Sequence, residues 1–272
     1  MEAPPPNAAE LAGLLGPLRD DPGASGVFAD IDGTLAPIVD RAADAEVPPP
    51  TREALEAVRD RYALAGCLSG RAALDARDLV GVEGIAYIGN HGMERLLPGE
   101  REPRLDPALD GHENAAAGFL EHLDPAELEA VGLRVEDKGP IRALHWRGAP
   151  DEAAAEQRAR EIAVDAVGRN LVPHWGRRVL EIRPAVGIDK GTALGELLEE
   201  RKLSHVLYGG DDRTDVDAFR QLRDMRSVGD LETAASIGVG SPEGPRELAE
   251  YADLVVDGPA GFLSVLRALV ER

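Results

Sequence analysis

The run Gly26-Val27-Phe28-Ala29 leads straight into Asp30-Ile31-Asp32-Gly33-Thr34-Leu35. A short apolar, β-rich run that ends in two carboxylates and a glycine turn narrows the possible folds sharply. The run reads as a strand buried on both faces, the habit of strands in parallel sheets covered by helices. Side chains at i and i+2 of a strand share a side, so Asp30 and Asp32 are expected together beyond its end. Two like charges crowded there repel unless a cation or a proton separates them. That arrangement suits metal-assisted phosphoryl transfer, one aspartate attacking phosphorus and the other moving protons. Asp and Gly also favour plain turns, so the remaining parts have to come from elsewhere in the chain.

Strand and helix patterns alternate along the sequence. After a proline-led N-terminal segment, Leu11 to Leu18 reads as a short helix. Strands follow at Val27–Asp32, Ala63–Leu68, Ile85–Ile88, His205–Tyr208, Ile237–Val239 and Leu254–Val256. A helix capped by Thr51 is expected after Pro48-Pro49-Pro50, with Leu55, Val58 and Tyr62 at helical spacing. Short β-rich runs separated by helices predict an α/β fold, a Rossmann-like three-layer core around a parallel sheet. The stretch from 104 to 183 has a different grammar: a polar helix over Pro107–Val131, strands at Arg134–Lys138 and Ile141–Arg147, a helix over Asp151–Arg169, and strands near Leu171–Trp175 and Arg178–Arg183. It is expected to be an α+β cap inserted into a core made of 1–103 and 184–272.

In open α/β sheets ligands bind beyond the carboxyl ends of the strands. Four predicted strand ends carry chemistry: Asp30/Asp32, Ser69, Asn90-His91, and Asp211/Asp212. Ser69 would open a helix beginning Gly70-Arg71, whose N–H groups and dipole attract phosphate; it would serve equally well as a plain N-cap. Lys190, between a β-run and the Leu194/Leu197/Leu198 helix face, would neutralise phosphate oxygens and the attacking carboxylate. Asp211 is the best metal ligand, because Mg²⁺ takes one or two carboxylates plus substrate oxygens and water. Asp215 opens the next helix, and Thr214 with Asp217 is expected to form a capping box. Leu35 occupies the position where an EF-hand loop needs glycine, and Gly244 falls one residue too late for a dinucleotide fingerprint with Gly238 and Gly240.

Charge restricts the partners. With 30 basic against 50 acidic residues, a net −20, the chain is not expected to bind nucleic acid or an anionic membrane. Cys67 is the single cysteine, so no intramolecular disulfide or cysteine metal cluster can form. No apolar run approaches the roughly 18 residues of a membrane span, and Glu2 with Pro4-Pro5-Pro6 stands where a secretion signal would carry basic and apolar residues. A cytoplasmic location is the expectation. So is a monomer, since no coiled coil or apolar stripe is evident.

Taken together, Asp30-x-Asp32-Gly33-Thr34, Ser69, Lys190 and Gly210-Asp211-Asp212-x-x-Asp215 resemble, in order, the four motifs of the haloacid dehalogenase superfamily of phosphohydrolases. Asp32 and Ser69 are separated by 36 residues, too few for a cap, whereas 120 separate Ser69 from Lys190. That places the insert where the sugar-phosphatase branch carries its larger cap. More closely, the chain resembles the trehalose-6-phosphate phosphatase family. The stretches Asp30–Ile38, Leu68–Arg71, Gly89–Glu94, Val135–Gly139, Leu144–Arg147, Leu180–Pro184 and Gly209–Asp215 carry the likeness. Ile31 stands where an aromatic is usual, and Asn90 where serine is frequent.

The resemblance implies a Mg²⁺-dependent hydrolysis of a sugar phosphate. Asp30 would be the nucleophile, Asp32 the acid and base, and Ser69 and Lys190 the phosphoryl binders. The metal would be held by Asp30, Asp211 and the backbone carbonyl of Asp32, with Asp212 and Asp215 in support. Arg71, Asn90, His91 and Gly92 are expected near the substrate. In the cap, strand parity puts Glu136 with Lys138, His145 with Arg147, and Glu181 with Arg183 on one face, and Val135, Leu144, Trp146, Leu180 and Ile182 on the other. A face of alternating acceptors and donors suits hydroxyl-rich sugars. Sucrose, mannosylglycerate or pseudo-disaccharide phosphates are alternative substrates, and a non-catalytic sugar-phosphate-binding protein is the alternative class.

Overall fold

The computed structural model of the chain describes residues 8–39, 44–241 and 244–271. The proline-led N-terminal segment lies outside them. Two units are distinct: one is built from residues up to Arg104 and from Ile188 onward, the other is Leu105–Gly187.

The first unit is a three-layer α/β core. Its N-terminal part supplies α1 (Ala8–Asp20), β1 (Ser25–Ala29), α2 (Pro49–Arg61), β2 (Leu64–Leu68), α3 (Ala73–Val80), β3 (Ala86–Gly89), β4 (Glu94–Leu96) and β5 (Arg104–Leu105). The second unit, described below, supplies α4 (Ala115–Leu120), α5 (Pro125–Ala130), β6 (Arg134–Lys138), β7 (Ile141–His145), α6 (Glu152–Gly168), β8 (Leu171–Gly176) and β9 (Val179–Pro184). The core resumes with α7 (Lys190–Arg201), β10 (His205–Gly210), α8 (Asp215–Val228), β11 (Thr233–Gly240), α9 (Arg246–Tyr251), β12 (Leu254–Asp257) and α10 (Gly258–Val270).

The strand order is β12-β11-β10-β1-β2-β3-β4-β5. From β12 to β3 every pairing is parallel. The sequence did not announce the antiparallel edge that β4 adds against β3. Strand alternation divides the core cleanly. Val27, Ala29, Cys67 and Leu207 pack towards α1, α2, α3 and α10. Phe28, Leu68, Val206 and Tyr208 pack towards α7, α8 and α9. Every residue of β1, β2 and β10 is buried, so no hydrophilic face interrupts these runs. The chain moves outward from β1 to β3 on one side and from β10 to β12 on the other. The carboxyl ends of β1 and β10 therefore flank the switch point where open α/β sheets bind ligands.

Several helix starts differ from expectation. α2 begins at Pro49 with Pro48 as its N-cap, because proline is pre-set for a first turn whose N–H groups need no intrahelical partner; Thr51 lies inside the helix. α3 begins at Ala73, so Ser69 sits in an irregular loop three residues ahead of the Ala72 N-cap. The capping box over Thr214 and Asp217 does not form. Instead Asp212 Oδ1 accepts the Thr214 and Asp215 N–H groups, at 2.7 and 3.3 Å.

The second unit is a four-stranded antiparallel sheet, order β6-β7-β9-β8, with α4, α5 and α6 over one face. The expected long helix over 107–131 is two short ones, because Pro125 starts a new helix capped by Asp124. Leu144, Leu180 and Ile182 are buried against the helices together with Trp146, whose ring meets Trp175 edge-on. Val135 shares their side by parity, but on the edge strand β6 it is half exposed. Among the described residues, no helix is long and apolar enough to cross a membrane.

Candidate active site

Asp30 follows the last residue of β1, and its N–H is bonded to the Gly209 carbonyl at 2.8 Å, which ties it to β10. Beyond it the chain turns tightly: the Ile31 carbonyl accepts the N–H groups of Thr34, Leu35 and Ala36. Gly33 makes the turn possible. Its φ is +97°, and a Cβ there would lie 2.1 Å from Asp211 Oδ2, so the loop after β1 can rest on the loop after β10 only without a side chain. Asp211 Oδ1 accepts the Thr34 hydroxyl at 3.2 Å across the same junction.

Three buried carboxylates, Asp30, Asp211 and Asp215, offer oxygens within 4.8 Å of one another. Lys190, the first residue of α7 and 2 % exposed, lies between two of them, with Nζ 2.7 Å from Asp30 Oδ1 and 2.7 Å from Asp215 Oδ1. Burial opposes the ammonium form, but Asp215 and Asp30 outweigh it and hold the lysine well above its usual range. A compact point charge on a flexible stem suits this place better than a planar guanidinium. Burial, only partly offset by Lys190, keeps the Asp30 carboxyl well above the ordinary carboxylate range. Burial, followed by the charges of Asp215 and Asp212, brings Asp211 up to about 7. Burial also pushes Asp212 upward, yet Lys190 and the Thr214 hydrogen bonds prevail and leave it at about 2.

The acids of Asp211-Asp212-x-x-Asp215 divide their work. Asp215 accepts from four donors: Lys190 Nζ and the Tyr208 hydroxyl on Oδ1, and the N–H groups of Asp211 and Asp212 on Oδ2. That fills the acceptor capacity of a carboxylate. Asp215 therefore anchors the loop, and Asp212 caps α8. Among the described residues, hydrogen bonds take Oδ1 of Asp30 and Oδ1 of Asp211, leaving each a second oxygen. A set of hard oxygens, kept partly protonated by burial and mutual repulsion, fits a hard divalent cation such as Mg²⁺.

Asp32 is not one of the three clustered carboxylates. Arg71 neutralises it through a two-point fork: Nε to Oδ2 at 2.6 Å and Nη2 to Oδ1 at 2.7 Å. Hence the structure sets Arg71, expected at the substrate, on a catalytic candidate. Asp32 remains about a third exposed while Asp30 is buried. Ser69 is buried, with Oγ accepting the Arg71 N–H at 3.2 Å. Asn90 and His91 both adopt left-handed backbone, φ 49° and 58°, and Gly92 follows at +110°. The Asn90 and His91 N–H groups bond to the carbonyls of Arg71 and Ser69, at 2.8 and 2.9 Å. All three are buried, so they support the Ser69 loop. Thr34 closes the Asp30-x-Asp32-Gly33-Thr34 motif, but its contact with Asp211 is not readable from that spacing, and Tyr208 lies in no motif; only the β1/β10 adjacency reveals what they do.

In the second unit, the face opposite the helices carries Glu136, Lys138, His145, Glu181 and Arg183. Glu181 lies between two cations, 2.7 Å from Lys138 Nζ and 3.0 Å from Arg183 Nε. Glu136 Oε2 lies 2.6 Å from His145 Nε2, and that contact, against partial burial, pulls the Glu136 carboxyl below its usual range. His174, opposite Glu181 in the β8/β9 ladder, joins this face without having been expected. Arg147 falls in the turn after β7, where strand parity no longer applies.

A doubly covered parallel sheet, an aspartate pair after its first strand, a buried lysine at a later helix start and an acidic loop after β10 define a phosphohydrolase of the haloacid dehalogenase type. Residues 28–250 match the Trehalose-phosphatase family model. A trehalose 6-phosphate phosphatase of Zea mays is 34 % identical over 246 residues, covering 81 % of this chain and 67 % of that protein. A trehalose-phosphate phosphatase of Mycolicibacterium paratuberculosis is 36 % identical over 245 residues, covering 82 % of this chain and 61 % of that protein. The C-terminal domain of the Candida albicans trehalose-6-phosphate phosphatase superposes with a TM-score of 0.72 at 20 % identity, covering 95 % of this chain and 96 % of that one. The chain belongs to the trehalose-phosphatase family, and is thereby a phosphoric monoester hydrolase.

Proposed function

We propose that the chain hydrolyses trehalose 6-phosphate to trehalose and phosphate with Mg²⁺, through a phosphoryl group carried on Asp30. The observation that carries this reading is the convergence of Asp30, Lys190 and Asp211, remote in sequence, on one rim of the sheet. A carboxylate oxygen of Asp30 attacks phosphorus, the bond from phosphorus to the sugar oxygen breaks, and Asp32 gives that oxygen a proton. Asp32 then takes a proton from water, whose oxygen attacks phosphorus and breaks the bond to Asp30, restoring both carboxyl groups.

The two-point Arg71 fork fixes the orientation of Asp32 for both proton transfers. Lys190 holds the Asp30 oxygen it touches and fixes the orientation of the attacking carboxylate. Ser69 binds the transferring phosphoryl group from the loop after β2. Asp30 and Asp211 would hold Mg²⁺, which supplies positive charge against the phosphate and carboxylate oxygens; a backbone carbonyl from Asp32 follows from the family likeness. Asp215 and Asp212 act on the loop that carries Asp211. In the cap, Glu136, Lys138, His145, Glu181 and Arg183 read the sugar hydroxyls.

Phosphate release from trehalose 6-phosphate, sucrose phosphate and p-nitrophenyl phosphate, with Mg²⁺ and with chelator, tests the reading. Trehalose 6-phosphate should be the preferred substrate, and Asp30→Asn should abolish both turnover and trapping of a phosphorylated chain. Appreciable turnover by Asp30→Asn would refute the nucleophilic role.

A further inference from the structure

Helix α3 begins without a cap of its own. Its N-cap is Ala72, which has no side-chain acceptor, and the first N–H groups of any helix need acceptors from outside it. The missing acceptor comes from another strand. Glu94, the first residue of β4, is 7 % exposed, and its Oε1 accepts the Ala73 N–H at 2.5 Å and the Asn90 amide Nδ2 at 3.1 Å. A carboxylate at a helix N-terminus is favoured by the helix dipole as well as by the hydrogen bond. The backbone is shaped for this contact. Gly89, opposite Glu94 in the β3/β4 ladder, could carry no Cβ, since one would lie 2.3 Å from the Ala73 nitrogen and 2.8 Å from Glu94 Oε1.

The contact closes a ring around the loop between β2 and α3. One side of the ring is the pair of bonds from Asn90 and His91 to the carbonyls of Arg71 and Ser69. The other is the Glu94 carboxylate, which holds Ala73 and Asn90 at once. Two consecutive non-glycine residues in left-handed backbone are costly and persist only when their surroundings hold them. Arg71 leaves this ring to grip Asp32 with both ends of its fork, so a shift of the loop displaces both the phosphoryl-binding Ser69 and the anchor of Asp32. We infer that Glu94 is a positioning residue for the hydrolysis, a helix cap supplied from β4 that sets Ser69 and the Arg71–Asp32 pair. The inference rests on the proposed roles of Ser69 and Asp32.

The test compares the full-length wild type with Glu94→Ala and Glu94→Gln in two measurements. The first is amide hydrogen exchange at Ala73. The alanine variant should exchange about tenfold faster there, the loss expected of a missing cap, and the glutamine variant, which keeps an acceptor oxygen, within about threefold of wild type. The second is kcat and KM on the sugar phosphate and on p-nitrophenyl phosphate. Glu94→Ala should lose about 10- to 100-fold in kcat on the sugar phosphate, with KM little changed and a smaller loss on the aryl ester, whose leaving group needs no proton. Glu94→Gln should restore most of it. Equal losses on both substrates, or no rescue by glutamine, mark a residue that only supports the fold and overturn the inference. So does unchanged Ala73 exchange in the alanine variant. If Glu94→Ala fails to fold, the comparison of Glu94→Gln with the shorter Glu94→Asp decides, since aspartate cannot span both donors. A wild type active on sugar phosphates with an unaffected Glu94→Ala refutes the positioning role alone. A wild type inactive on every phosphate ester refutes the proposed function, and the positioning role falls with it.

Discussion

Asp211→Asn should make the metal-free protein more stable while abolishing its response to Mg²⁺. In the folded chain, burial first, then the charges of Asp215 and Asp212, hold the Asp211 carboxyl at about 7 against an ordinary 3.8. A carboxyl whose folded pKa is raised lends its stability fully below the unfolded value, and that stability is lost as pH rises through about 7. Above that point the whole difference acts against the folded state, about 4 kcal/mol at roughly 1.36 kcal/mol per tenfold in proton affinity. Removing the charge does not return all of it. With Asp211 neutral, Asp30 and Asp215, also raised by burial, ionise more fully and repel each other more. A gain of about 1–3 kcal/mol near pH 8 is expected, and less than half of that near pH 5, where the wild-type Asp211 is mostly protonated. Asparagine keeps the size of the side chain and an oxygen for the Thr34 hydroxyl, so packing is preserved.

The assay is urea unfolding of both proteins at the two pH values, in excess chelator and in millimolar Mg²⁺. Mg²⁺ should raise the midpoint of the wild type by mass action and leave that of Asp211→Asn nearly unmoved. A variant less stable than wild type near pH 8 in chelator would refute the argument, because the carboxylates would then not be repelling one another. An equal gain at both pH values would do the same.

Arg71→Lys keeps the charge on Asp32 but loses the fork; kcat on the sugar phosphate should fall about 10- to 100-fold, with a smaller loss on p-nitrophenyl phosphate, and equal loss on both would contradict an acid held in place by Arg71. Lys190→Met leaves Asp30 and Asp215 buried without their shared cation, which should cost about 3–5 kcal/mol by chemical denaturation and remove turnover. Glu181→Ala removes the carboxylate that Lys138 and Arg183 share; KM for the sugar phosphate should rise several-fold while kinetics on p-nitrophenyl phosphate stay near wild type, and parallel changes on both would exclude the cap face from sugar reading. Asp32→Asn should retain far more activity on the aryl ester than on the sugar phosphate, measured as the ratio of the two kcat values.

Much of this was legible because strands buried on both faces are written as unbroken apolar runs, and the motif residues sit at their ends. Val27 to Asp30, Leu64 to Ser69 and His205 to Asp211 needed only that rule. The edge strand β4 was illegible because three residues carry no periodicity. The start of α3 was misread because Ser69 resembles a cap, whereas the acceptor that α3 uses is Glu94, 21 residues further on. Local spacing cannot reveal a cap brought by tertiary structure.

The acidic loop after β10 shows the deeper reason. The sequence favours Asp211 as the ligand and puts Asp215 at a helix start, but it does not show how far each of Asp211, Asp212 and Asp215 is already engaged. What separates them is how many donors each already satisfies. Asp215 has four, two of them from Lys190 and Tyr208, and Asp212 spends one oxygen on the Thr214 hydroxyl and on the start of α8. Asp211 accepts one hydroxyl from Thr34 and lies beside Asp30. Metal-binding capacity is therefore a remainder, fixed by residues that come from β1, β10 and α7. It becomes readable only when those three elements are placed side by side, which is why one motif offers a candidate ligand, a cap and an anchor.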